Sequence, residues 1–314
     1  MAFLKMTEEY MEACVALAME AEGCRQADYR AALGEEIYAA AYSGWQDGVE
    51  VAIREQQAGE NAYVLVENGE VTAFGAFRSS GVMASLGSCQ GPALDQLLIR
   101  MLDEMKAQGI THVAANCDCE PSSQKDMEAF AKAGFVKELP HVRYFQVLKE
   151  RPELPATEVQ IVPAQEEHVA PCVEIALKLW TIIHGEYAKR IGDDIHDVTG
   201  AGWQDAHRIN IANQQRKPTS LVALLDGKVV GFCGCRVENG VLGVIGYNGV
   251  DPAYRGRGIA RYLYEAAFDS FRNQGIRCAR VYTGRDDGHG PARRAYEKAG
   301  FDKKIINTTY YKIL

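Results

Sequence analysis

No apolar run in this 314-residue chain approaches the roughly 18 residues that a membrane-spanning helix needs, so no membrane partner is expected. The first 25 residues contain Glu8, Glu9, Glu12, Glu20 and Glu22 and lack the basic start and continuous apolar core of a secretory signal; the expected location is cytoplasmic. Paired CxxC clusters are also missing, and nine cysteines is an odd number spread over a long chain, which argues against a disulfide framework. Cys117 and Cys119, like Cys233 and Cys235, stand two apart in strand-like segments, share a face, and read as small buried apolar residues. Histidines at ligand spacing are lacking too: His184, His196 and His207 are twelve and eleven positions apart, with no HxxxH or HxH, so no metal centre is expected. No basic stripe of the kind that tracks nucleic acid is present.

What is present is the composition of a soluble globular protein, 47% apolar and 24% charged. The length suits two domains of about 150 residues. Charge is divided unevenly between them. Residues 1–150 hold 12 Lys and Arg against 23 Asp and Glu, net −11, whereas residues 151–314 hold 22 against 19, net +3. The second half is the better host for an anionic ligand.

The chain is an internal duplication. At an offset of 158, Cys14-Val15 falls on Cys172-Val173, Gly34-Glu35-Glu36-Ile37 on Gly192-Asp193-Asp194-Ile195, Gly44-Trp45-Gln46-Asp47 on Gly202-Trp203-Gln204-Asp205, and Gln56-Gln57 on Gln214-Gln215. Further on the offset becomes 166, with Ala133-Gly134-Phe135 on Ala299-Gly300-Phe301. Each repeat predicts two helical stretches, at 7–22 and 44–57 and at 165–183 and 202–215. A hairpin follows, turning at Asn68-Gly69 or Asp226-Gly227, and then strand, helix, strand, helix, strand. The charged, proline-containing segment Leu148 to Pro155 separates the copies. The predicted division is therefore 1–148, a linker at 149–158, and 159–314.

One stretch of the second repeat stands out. An apolar, glycine-interrupted segment from Val241 to Gly249 reads as a buried strand. Val250-Asp251-Pro252-Ala253-Tyr254-Arg255-Gly256-Arg257-Gly258-Ile259-Ala260-Arg261 follows it, and then Leu263, Ala266, Ala267 and Phe271 recur at helical spacing. Such a strand-to-helix turn, opened by two glycines, lets several N–H groups converge on one anion at the positive end of a helix, which suits a pyrophosphate.

Arg255-Gly256-Arg257-Gly258-Ile259-Ala260 resembles the [Q/R]-x-x-G-x-[G/A] signature of the GNAT superfamily of acyl-CoA-dependent N-acetyltransferases, and Ala292-Arg293-Arg294-Ala295-Tyr296-Glu297-Lys298-Ala299-Gly300-Phe301 resembles its C-terminal A-x-x-x-Y-E-x-x-G-F helix, about forty residues on. The signature covers about residues 219–305, and the duplication extends the fold to the first half. The resemblance implies an α/β (α+β) chain of two tandem GNAT-like domains, each a mixed central sheet with a splayed parallel strand pair flanked by helices.

The resemblance also implies acetyl transfer from acetyl-CoA to a primary amine of a small molecule by direct attack. The cofactor would lie along Asn248, Gly249 and Val250 and on the turn from Arg255, Gly256, Arg257 and Gly258 to Ile259, Ala260 and Arg261. Tyr296 would protonate the departing thiolate, since a hydroxyl of reference pKa about 10 is still protonated where a thiol of about 8.5 ionises. Where the family often carries a pantetheine-contacting asparagine, this chain has His289; either His289 donates that hydrogen bond or the loop is displaced. His184 and Asp251 are the candidate general bases, with Tyr247 at the strand end, Tyr282 on the next strand, and Glu186, Asp193, Asp194 and His196 between the first two helices as further candidates by position. By comparison with Gly34-Glu35-Glu36-Ile37, Asp193-Asp194 reads as helix N-capping, and Trp203-Gln204-Asp205 as packing and capping. At the 166 offset, Cys89-Gln90-Gly91-Pro92 faces Arg255 to Gly258 and Phe130 faces Tyr296, so the first repeat is expected to keep the fold without the chemistry. A non-catalytic acyl-CoA-binding module and a protein or peptide N-terminal acetyltransferase are the alternatives. The tandem repeat mimics a dimer and so is compatible with a monomer.

Overall fold

The computed structural model describes residues 1–59 and 61–314. The first repeat runs β1 (Ala2–Lys5), α1 (Met11–Leu33), α2 (Glu35–Tyr42), α3 (Trp45–Gln57), β2 (Ala62–Glu67), β3 (Glu70–Ser80), β4 (Met83–Gln90), α4 (Leu94–Ala107), β5 (His112–Asp118), α5 (Gln124–Lys132) and β6 (Lys137–Val147). The second repeats that order as β7 (Gln160–Pro163), α6 (Glu166–Ile191), α7 (Asp193–Thr199), α8 (Trp203–Gln215), β8 (Leu221–Leu225), β9 (Lys228–Glu238), β10 (Leu242–Val250), α9 (Ile259–Asn273), β11 (Cys278–Gly284), α10 (Gly290–Lys298) and β12 (Lys303–Ile313). The first helix of each repeat is longer than its periodicity predicts. Each continues to a glycine at positive φ, Gly34 at 78° and Gly192 at 94°, where the left-handed backbone ends it and lets a short helix start at a new angle. Gly34 occupies the N-cap position of α2, Gly192 that of α7 and Gly202 that of α8; no side-chain cap bond forms there, and while Asp194 Oδ1 accepts from the adjacent Ile195 N–H at 2.9 Å, Asp193 and Asp205 act as first-turn charges.

Both hairpins turn where expected. Asn68 and Gly69 have φ of 52° and 88°, Asp226 and Gly227 of 51° and 74°, the pair of positive values that a two-residue hairpin needs to match strand twist. The cysteine pair of β9 is buried as an apolar pair, Cys233 at 0% and Cys235 at 3% exposure.

All the strands join one sheet, in the order β1-β2-β3-β4-β5-β12-β6-β11-β10-β9-β8-β7. The centre of that order is an exchange. The last strand of the second repeat, β12, lies antiparallel between β5 and β6, and the last strand of the first, β6, lies antiparallel between β12 and β11. Each repeat thus completes its sheet with the other's final strand. The packing follows: Val142 and Tyr144 of β6 join the core built on α9 and α10 with Leu263, Phe268, Phe271 and Tyr296, while Tyr310 of β12 packs on the core of α4 and α5 and stacks on Phe130 at 5.8 Å. Burying apolar surface across both repeats couples their folding.

Candidate active site

The site begins with a strand that fails to stay paired. β10 runs parallel to β11 only from Leu242–Ile245 against Cys278–Val281. Against β9 its register shifts between Ile245 and Asn248, a bulge in which Gly246 and Tyr247 lie opposite the single residue Gly234. The Gln214 side chain, at the end of α8, takes over the lost ladder: Tyr247 N–H donates to Gln214 Oε1 at 2.7 Å, and Gln214 Nε2 donates to Tyr247 O at 2.8 Å. A Cβ on Gly234 or Gly246 would overlap the Gln214 amide, so glycine there leaves room for the brace. With its amide turned to satisfy both bonds, Gln56 meets the Ser88 backbone of the first repeat in the same way, at 3.1 and 3.3 Å. The repeated glutamine is therefore a bulge brace, which the duplication marked without explaining.

Past the bulge the strands part around a cavity of about 1290 Å³. Gly256 and Gly258, at φ of 81° and 74°, shape the turn before α9. Among the described residues the N–H groups of Gly256, Arg257, Gly258, Ile259 and Ala260 find no protein acceptor, and Arg255 and Arg261 flank them on the cavity wall. Free amides at the positive end of a helix, beside two guanidiniums, are a geometry suited to an anion. Arg257 does not line the cavity; its guanidinium lies 5.6 Å from the Tyr254 ring centre.

The first repeat has no such turn. Asp251 N–H bonds to Val230 O, and its counterpart there is Ala93 N–H on Thr72 O; but residues 91–93 alone join β4 to α4, where residues 251–258 join β10 to α9. Cys89 and Gln90, set against the turn by sequence spacing, are strand residues paired with Gly75 and Phe74. What the first copy lacks is the turn as a whole, so the helix start closes directly on the sheet.

Tyr296 projects from α10 into this cleft. It is 3% exposed, and its hydroxyl accepts a hydrogen bond from Asn248 Nδ2 at 2.9 Å; Nδ2 also donates to Gly246 O at 2.9 Å, while Asn248 Oδ1 accepts from the Tyr264 hydroxyl at 2.8 Å. Burial pushes the Tyr296 hydroxyl up to about 12, against the smaller downward pull of Asn248, so it stays protonated throughout the neutral range, its own O–H directed to Asn248 Oδ1 at 3.2 Å. Expected only to offer backbone, Asn248 also aims the tyrosine through its side chain. Gly249 and Val250 complete the cavity wall, and a Cβ on Gly249 would overlap Leu179 of α6.

His289 lines the cavity just before α10. Its Nδ1 lies 2.6 Å from Asp286 Oδ2, and its N–H donates to Asp286 Oδ1 at 3.1 Å. Burial pushes the Asp286 carboxyl up, but the bonds from His289 outweigh that and hold it below the usual carboxylate range. The two candidate bases, Asp251 and His184, lie elsewhere. Asp251 accepts from Ala253 N–H and pairs with Lys178 Nζ, both at 2.9 Å; these bonds outweigh burial and keep its carboxyl low, and it does not line the cavity. His184, also absent from that lining, stacks on Trp203 with ring centres 4.1 Å apart and meets His196 at 2.9 Å; burial, then His196 and His207, push it down to about 4. Glu186 is paired with Lys189. The far wall holds residues the motifs did not reveal: Tyr187 of α6, and His141 and Arg143 of β6 from the first repeat.

Residues 188–301 match the family model described as "Acetyltransferase (GNAT) family". That stretch of the second repeat is thus similar to GNAT acetyltransferases. Curated relatives include mycothiol acetyltransferases of Thermomonospora curvata, 29% identical over 37% of this chain and 38% of that protein, and of Rhodococcus erythropolis, 30% identical over 38% and 39%. The chain thus matches about two fifths of the length of these relatives. The whole fold is shared more widely. A GCN5-related N-acetyltransferase from Sphaerobacter thermophilus aligns with a TM-score of 0.61 at 20% identity, covering 99% of this chain and 95% of that one. A tandem GNAT protein from the clavulanic acid biosynthesis pathway aligns at 0.57 and 14%, covering 99% and 98%. The mixed sheet with its parallel pairs β4–β5 and β10–β11 belongs to the fold that this chain shares with that tandem GNAT protein. Among the described residues no helix is long and apolar enough to cross a membrane.

Proposed function

We propose that this chain transfers acetyl from acetyl-CoA to a primary amine of a small molecule, with the chemistry in the second repeat, 159–314, and a non-catalytic first repeat, 1–148. The observation that carries the reading is the Tyr296 hydroxyl, buried and held by Asn248 where β10 leaves β11, in the same cavity as the amide cradle of residues 256–260. Those N–H groups with Arg255 and Arg261 would hold the diphosphate, and the parted edge of β10 from Asn248 to Val250 would pair with the pantetheine arm. Acetyl-CoA supplies the acyl group: the amine nitrogen bonds to the thioester carbon, the C–S bond breaks, and the sulfur takes up a proton. Tyr296 gives that proton and is restored by the second proton, which the nitrogen sheds on becoming an amide. The ammonium proton of the acceptor goes to His289. With Asp286 ionised, Nδ1–H serves the carboxylate and Nε2 is left as the acceptor, which makes this ring a base rather than a donor to the pantetheine.

The name mycothiol acetyltransferase borne by relatives supports a small-molecule acceptor. A buried, aimed hydroxyl at the strand opening favours an enzyme over a binding module, which has no use for a proton donor. The test is free-thiol release from acetyl-CoA across a panel of amines, repeated with Tyr296→Phe, beside calorimetric titration with CoA. Turnover that falls at least 100-fold in the variant, with one CoA site per chain, is the expected result. Undiminished turnover removes Tyr296 from its role, and tight CoA binding with no turnover of any amine favours the binding module.

A further inference from the structure

The cavity contains no carboxylate: among the described residues that line it there is neither Asp nor Glu. Its cations fall into two groups. Arg255, Arg261, Arg294 and Lys298 belong to α9, α10 and the turn that would take the phosphates of acetyl-CoA. Arg143, Arg236 and Arg280 form a second pole on the other face of the sheet. Strand pairing puts Arg236, Val244 and Arg280 in one row, with Val244 packed among Tyr29, Leu33 and Phe145, whereas the neighbouring Ile245 and Val281 face α9 and α10.

This second pole is short of negative charge. Arg236 Nη2 donates to Glu238 Oε1 and Arg280 Nη2 to Glu238 Oε2, each at 2.6 Å, so two guanidiniums share one carboxylate. Arg143 bonds Asp118 Oδ1 at 2.7 Å and the Tyr42 hydroxyl at 3.1 Å, and its Nε is buried without a partner. Both carboxylates stand behind the arginines and outside the lining, so the surface offered to a ligand is cationic. The phosphates of acetyl-CoA are accounted for at the first pole. A second unsatisfied pole, across the strand opening, calls for a second anion.

We propose that the acceptor is a primary amine that also bears a carboxylate or phosphate, recognised by Arg236, Arg280 and Arg143. This rests on the acetyltransferase reading above and names the class of its second substrate. The planar fork of each guanidinium suits either oxyanion. Because Arg143 is on β6, the first repeat supplies part of the pocket through the exchanged strand, giving that half of the chain a use that needs no chemistry of its own.

The test pairs acceptors that differ in one charge: an amino acid against its amide, and an aminoalkyl phosphate against the corresponding amino alcohol. The anionic member should be preferred by at least 10-fold in kcat/KM, and the two pairs together tell carboxylate from phosphate. Arg236→Gln and Arg280→Gln should each raise the KM of the anionic acceptor about 10-fold, leaving the neutral acceptor and acetyl-CoA within 2-fold. Preference for neutral amines, or equal losses on both members of a pair, overturns the proposal while leaving the acetyltransferase reading intact. If no amine is turned over, the same compounds are titrated calorimetrically into CoA-loaded protein. Binding of the anionic members that is lost in Arg280→Gln upholds the pocket and removes the transferase; no binding of any anionic amine removes the pocket.

Discussion

Replacing the bulge brace, Gln214→Ala, separates what holds the sheet together from what holds it open. The side chain satisfies one N–H and one C=O of Tyr247, at 2.7 and 2.8 Å, on a segment that is only partly exposed. An unpaired buried backbone group costs about 1–3 kcal/mol, and the adjoining cavity lets water recover part of that, so the expected loss is about 2–3 kcal/mol in urea unfolding. Function should suffer by a different route. Without the amide, residues 246–250 are no longer held away from β11, and the groove for the acyl arm narrows; the KM for acetyl-CoA should rise about 10-fold. The first repeat supplies the control. Gln56→Ala removes longer bonds to Ser88, 3.1 and 3.3 Å, and should cost about 1–2 kcal/mol with no change in that KM. Equal KM changes in the two variants, or a Gln214→Ala protein as stable as its parent, would refute the assignment of the opening to this brace.

His289→Gln should lower kcat by 100-fold or more with CoA affinity held, whereas Asp286→Asn, which keeps the ring but frees its Nδ1, should lower kcat less; steady-state kinetics read both. Burial, then the charge of His289, pushes His141 down from its ordinary value to about 4. Its folded state therefore favours the neutral ring, a contribution complete above about 6.5 and lost as pH falls toward 4. Urea stability should be about 2 kcal/mol lower at pH 5 than at pH 7.5 through this group, and His141→Gln should remove that part of the slope. Expressed alone, residues 1–158 and 159–314 each lack the strand the other provides. Neither should give a cooperative unfolding transition, and mixing them during refolding should restore one; a stable, monomeric 159–314 would refute the coupling.

Much of this protein can be read along the chain, where the information is local. Hairpin turns show in Asn68-Gly69 and Asp226-Gly227 because few residues tolerate positive φ. The glycine-opened turn shows in Gly256 and Gly258, and Tyr296 in the local pattern Tyr296-Glu297-Lys298-Ala299-Gly300-Phe301 that closes its own helix. Candidates such as His184 and Asp251 could be listed by neighbourhood but not ranked: a stacked ring on Trp203 and a lysine partner at Asp251 are facts of packing.

Three features were decided only in three dimensions. The offset of 166 set Cys89 to Pro92 against the turn, whereas pairing puts Cys89 and Gln90 in a strand and the missing residues in the turn itself; spacing counts residues but not which of them form the ladder. Asn248 meets Tyr296 across 48 positions, a hydrogen bond that no periodicity encodes. The exchange of β6 and β12 was hidden most deeply, because a backbone ladder accepts any strand of suitable alternation, and two copies of one fold present equivalent edges. Sequence by itself determined that there are two copies and that one of them carries the turn and the tyrosine. Tertiary structure alone decided which copy's strand each sheet would take, and so placed His141 and Arg143 of the first repeat in the wall of the second repeat's cavity.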